Sequence, residues 1–116
     1  MWMIDPRLMC AKHIRGEHSE VHGIVGMLTK APTSPQLKGL IDAGLCELDN
    51  LGSRHEALVA ESKVRGMPMG TEHGSPLIQP QVDKIGQVDR EKSIKDLIER
   101  CPECKARIEA RNMGII

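Results

Sequence analysis

Cys10, His13, Glu17 and Glu20 follow one another at steps of three, four and three residues, so on a helix all four project from one side. A carboxylate and an imidazole beside an apolar stripe are candidates for shifted pKa values and for moving a proton. A single Glu on a helix is more often simply solvated. His18 and His22, four apart, sit on neighbouring faces and read most simply as partly buried edge residues. A second constellation is Cys101-Pro-Glu-Cys104. One such pair supplies two of the roughly four ligands of a structural zinc, and Cys10-x-x-His13 would supply the others. A Cys10, His13, Cys101, Cys104 site would tie the first helix to the C-terminal segment, which helps a small core without large aromatics. The alternative is that the thiols are small buried hydrophobes at a helix junction. A redox role is disfavoured, because no βαβ pattern surrounds the pair.

Basic residues form a third group. Arg54, Lys63, Arg65, Arg100, Lys105 and Arg107 can compose a local cationic patch for phosphates, or merely keep a domain in solution. Any such patch must be local, because sixteen Lys and Arg balance sixteen Asp and Glu and the formal net charge is zero. Trp2 is the only aromatic residue of the Phe, Trp and Tyr class, which nearly excludes a base-stacking platform. No Gly-rich phosphate loop, nucleophile elbow or His-Glu-x-x-His is present.

The elements that must position these groups read as helices. Asp5-Pro6 is a helix start, and Leu8, Ala11, Ile14, His18, Val21, Val25 and Leu28 continue one face, predicting a helix from Pro6 to Leu28. Gly16 in its middle suggests a close backbone approach. The Ala31–Pro35 stretch is a breaker cluster, and Leu37 to Cys46 reads as a short helix or turn. A longer helix is expected from about Glu47 to Arg65, closed by Gly66. Met67 to Gly86 holds three Gly and three Pro and reads as a long loop. A third helix starts at Asp89, carries Ile94, Leu97 and Ile98, and breaks or kinks at Cys101-Pro102 before continuing helically. The expectation is one compact all-α domain over residues 1–116 with three main helices. No stretch approaches the roughly 18 apolar residues of a membrane span, and four thiols with no apolar leader point to the cytosol.

Three segments, DPRLMCAKHIRGEHSEVHGIVG from Asp5, SRHEALVAESKVRG from Ser53 and SIKDLIERCPECKARI from Ser93, occur in the order and spacing of a known family. Together they resemble the pyrimidine-dimer DNA glycosylases, the endonuclease V family of bacteriophage. The resemblance implies an all-α domain with an N-terminal arm packed against its helices, acting on double-stranded DNA without a required cofactor. It implies that the N-terminal amine, here that of Met1, attacks the sugar carbon of a damaged nucleotide to form a Schiff base. A helix glutamate, here Glu20, assists, and β-elimination nicks the strand at the abasic site. His13, Arg54, Arg100 and Lys105 fall on the family's DNA-facing positions. An α-amine ordinarily titrates near 7.7–8.0, against about 10.4 for Lys, so it is the better neutral nucleophile. The chain departs from the family in its bulky Trp2, which implies that Met1 is retained, in a shorter arm, and in Cys101-Pro-Glu-Cys104 where the family is aromatic. A non-catalytic helical module that binds DNA or protein, stapled by zinc, is the competing reading.

Overall fold

The computed structural model describes residues 1–68 and 86–114, which form five α-helices with no strand among them. The all-α expectation holds. The segment expected to be a long loop lies, over residues 69–85, outside the described residues.

The first helix, α1, spans Ala11–Lys30 and buries Ile14, Val21, Ile24 and Leu28 together with Glu17 and His18. It starts later than its periodicity suggests. Pro6–Leu8 is a separate 3-10 turn, capped by the Asp5 carboxylate accepting from the Arg7 N–H at 2.9 Å. The chain then runs extended through Met9 and Cys10. The Cys10 N–H, which a continuous helix would direct to the Pro6 carbonyl, instead donates to Cys104 Sγ at 3.2 Å. A tertiary contact from the far end of the chain therefore displaces the helix start. Gly16 marks no close approach, since a Cβ there would meet nothing within 4 Å.

The second helix, α2, spans Pro35–Asp42 and begins inside the presumed breaker, because the Ser34 hydroxyl caps it and Pro35 takes its first position. The third, α3, spans Leu51–Val64 after a 3-10 turn at Leu48–Asn50, so the helix expected from Glu47 is two pieces. Gly66, with φ +68°, ends it as expected. The fourth, α4, spans Arg90–Arg100, with the Asp89 carboxylate accepting from the Lys92 N–H at 3.1 Å. The fifth, α5, spans Pro102–Asn112. Pro102 has no N–H to give and forces Cys101 out of the helical region, to φ −131° and ψ 108°.

The core is aliphatic and sulfurous: Met9, Ile14, Leu37, Cys46, Leu58, Leu97 and Cys104 are fully buried. The first four residues form an arm laid on α1 and α3, with Met1 and Ile4 buried in the same core. A second crossing brings residues 44–46 against residues 86–88. Glycine is needed at Gly86 (φ +81°), where a Cβ would lie 2.4 Å from the Cys46 carbonyl oxygen. Among the described residues no helix is long and apolar enough to cross a membrane.

Candidate functional site

The arm is held by a buried ion pair. Arg54 projects from α3 into the α1 face, where its Nε and Nη2 donate to the two oxygens of Glu17. Its Nη1 donates to the Ile4 carbonyl at 2.5 Å, and Nη2 also reaches the Met9 thioether Sδ at 3.3 Å. Glu17 Oε1 also accepts from the Trp2 N–H at 2.9 Å. Both side chains are sealed, Arg54 at 6% and Glu17 at 0% exposure. Bidentate geometry and these extra bonds are what a buried pair needs to offset its lost hydration. Between the two anchored residues Met3 adopts φ +57°, a left-handed conformation that folds the arm back toward α1. Such strain persists where its surroundings over-determine it, and here bonds at Trp2 and Ile4 bracket it.

That bend delivers the N-terminus to Glu20. The Met1 amine forms an ion pair with the Glu20 carboxylate and donates to the Leu45 carbonyl at 2.8 Å. The Met1 side chain is fully buried, whereas Glu20 is 48% exposed. A recess of about 140 Å³ is lined by Met1, Trp2, Leu45, Val88, Lys92 and Asp96 among others. Val88 in its lining is held by Glu47, which accepts from the Val88 N–H at 2.7 Å, Asn50 Nδ2 at 2.7 Å and Arg90 Nη2 at 3.0 Å. Burial alone would raise the Glu47 pKa, but these donors outweigh it and bring it down to about 2. Burial pushes the nearby Cys46 thiol up, so it stays protonated and does not compete as a nucleophile.

The structure thus brings Met1 and Glu20 together. It turns Arg54 inward, correcting the expectation that this residue faces phosphate: its guanidinium is enclosed and engaged by Glu17. Arg100 and Lys105 are exposed on either side of the Cys101–Pro102 break, Lys105 lying 3.9 Å from the Glu109 carboxylate. Neither lines the recess at Met1; Lys92, which sequence reasoning passed over, does.

His13 lies with the cysteines. Its Nδ1 is 3.1 Å from Cys10 Sγ and 3.4 Å from Cys104 Sγ, and Cys10 Sγ is 3.8 Å from Cys101 Sγ. Sulfurs at 2.3 Å and a nitrogen at about 2.05 Å from one tetrahedral zinc lie about 3.8 Å and about 3.5 Å apart, so the donor set fits such an ion. Backbone N–H groups of Cys10 and Cys104 point at Cys104 Sγ and Cys101 Sγ, the polarity that supports thiolates. Burial, with Lys12 adding to it, lowers the His13 pKa and keeps the imidazole neutral. Burial pushes the Cys104 thiol up to about 12, a shift that a coordinated cation would reverse. The Trp2 ring meets His13 edge-on at 5.7 Å, linking this cluster to the arm.

A third grouping escaped the sequence reading. His18 and His22 of α1 meet His55 of α3. The available signal was position: Arg54 and His55 occupy the stripe of Leu51, Leu58 and Ser62, where a solvated residue would not fall. No curated protein and no solved structure matches the chain. Residues 1–73, which carry the arm, the Glu17–Arg54 pair, Glu20 and α1 to α3, match the family model described as pyrimidine dimer DNA glycosylase, and the chain belongs to that family.

Proposed function

We propose that the chain is a DNA glycosylase with abasic-site lyase activity, acting on damaged or modified pyrimidines in double-stranded DNA. The observation that carries this reading is the Met1 amine paired with a half-exposed Glu20. Glu20 accepts a proton from the amine, and the neutral nitrogen attacks C1′ of an extruded nucleotide. The C1′–base bond breaks as Glu20 passes its proton to the leaving base and returns to the carboxylate. The C1′–O4′ bond opens as a proton moves from the attacking nitrogen to O4′, and the opened sugar is held as an iminium on the Met1 nitrogen. Glu20 stabilises that cation and takes the C2′ proton, after which the C3′–O bond breaks and the 3′ phosphate departs. Water releases the sugar and regenerates the amine. Retention of Met1 suits this role, because its buried side chain anchors the nucleophile. Arg100, Lys105 and Lys92 are among the exposed cations available to phosphates.

Borohydride trapping on an abasic-site duplex, followed by peptide mapping, tests this reading. A covalent adduct on the Met1 nitrogen is expected; no adduct, or one on a lysine, overturns it.

The Cys10, His13, Cys101 and Cys104 donors support a structural zinc that ties α1 to the α4–α5 corner. Its chemistry would be stapling, with no part in the bond-breaking steps, and His13 then serves the ion and not the DNA. The competing reading, a non-catalytic zinc-stapled module, shares this staple and differs in the trapping result.

A further inference from the structure

We propose that His18, His22 and His55 form a second metal site, a three-imidazole site for a divalent ion of the Zn²⁺ class. It does not depend on the glycosylase reading or on the cysteine cluster. Their candidate ligand atoms all lie within 4.8 Å of one another. The ring centroids form a nearly equilateral triangle with sides of 4.7, 4.9 and 4.8 Å. Three imidazoles on one tetrahedral ion would place their centroids about 5 Å apart. The His18 and His55 Nε2 atoms are 3.2 Å apart, close to the roughly 3.3 Å between two nitrogens bound to the same zinc.

The orientation of His55 has its own support. Glu56 Oε1 lies 3.3 Å from His55 Nδ1, so the carboxylate favours the proton on Nδ1 and leaves the Nε2 lone pair directed at the cluster. A carboxylate behind a histidine is the arrangement that orients metal-bound imidazoles. His18 and His22, four residues apart on α1, present adjacent side chains to the same point. Burial grades across the site, with His18 and His55 buried and His22 exposed, so an ion enters from the solvent side and keeps an open fourth position there. Two residues along a helix is about 200° of rotation, so Glu20 faces away from His18 and His22, and the site lies on the opposite flank of α1 from the amine. An ion here bridges α1 and α3, the two helices that the Glu17–Arg54 pair already joins.

The full chain, metal-stripped under reducing conditions and titrated with Zn²⁺ and with Co²⁺, tests this. His22→Ala, at an exposed position, should lose one bound ion per chain or weaken it at least 100-fold. The Co²⁺ species lost should carry no thiolate-to-cobalt charge-transfer band, and Zn²⁺ should raise the thermal midpoint less in the variant than in the parent. Glu56→Gln should weaken the same ion by roughly tenfold. Equal stoichiometry and affinity in H22A and the parent, or loss of a thiolate-bearing species in H22A, overturns the proposal.

Discussion

Glu17 and Glu20 stand one turn apart on α1 and meet opposite fates. Glu17 is sealed, and every oxygen is occupied by Arg54 or the Trp2 N–H. Glu20 is 48% exposed and engages the Met1 amine. The first carboxylate fixes the arm; the second receives what the arm delivers. A rigid inner pair thus places the outer pair that the proposed reaction uses, the arrangement expected where catalytic groups must be held to within a fraction of an ångström.

The comparison breaks most severely at Arg54. Arg54→Ala leaves Glu17 buried without its cation and should cost about 3–5 kcal/mol, enough to unfold a marginal domain in urea titration. A loss below about 1 kcal/mol would mean that the inner pair fixes nothing. Glu20→Gln should do the reverse, lowering single-turnover strand cleavage by about 10²–10⁴-fold while the thermal midpoint moves little. Retained cleavage would dissolve the distinction between the two carboxylates.

Glu47 sharpens the same contrast as a second fixing carboxylate. Its folded pKa of about 2 lies below the ordinary Glu value of about 4.3, so its contribution is complete above that value. It fades as the pH falls toward 2, and acid denaturation should show up to about 3 kcal/mol lost across that window. Glu47→Gln should be less stable at neutral pH and should flatten that limb of the curve. The smallest effect is expected at the exposed cations. Arg100→Ala and Lys105→Ala should each weaken duplex binding a few-fold and reduce the salt slope by about 0.9, with stability unchanged. An unaltered slope would move the phosphate footprint toward Lys92.

Much of the scaffold was legible from local pattern. Periodicity located α1 and α3, Asp89 announced α4, Pro102 announced the break before α5, and Gly66 closed α3. Elsewhere the pattern misled where a distant partner decided. Cys104 Sγ captured the Cys10 N–H and moved the start of α1, while a close approach requires glycine at Gly86 and not at Gly16. Arg54 looked like a surface cation because its charge was read before its place in the Leu51–Leu58 stripe.

The sequence by itself determined which residues share a helix face, since 3.6-residue spacing and capping depend only on neighbours in the chain. It also placed Glu20 among the residues worth watching, through the segments that resemble the family. Only the packing of the arm and α3 on α1 decided which carboxylate would be enclosed, and that three histidines would meet. Those outcomes depend on desolvation and on partners brought together across the chain, quantities that no local spacing contains.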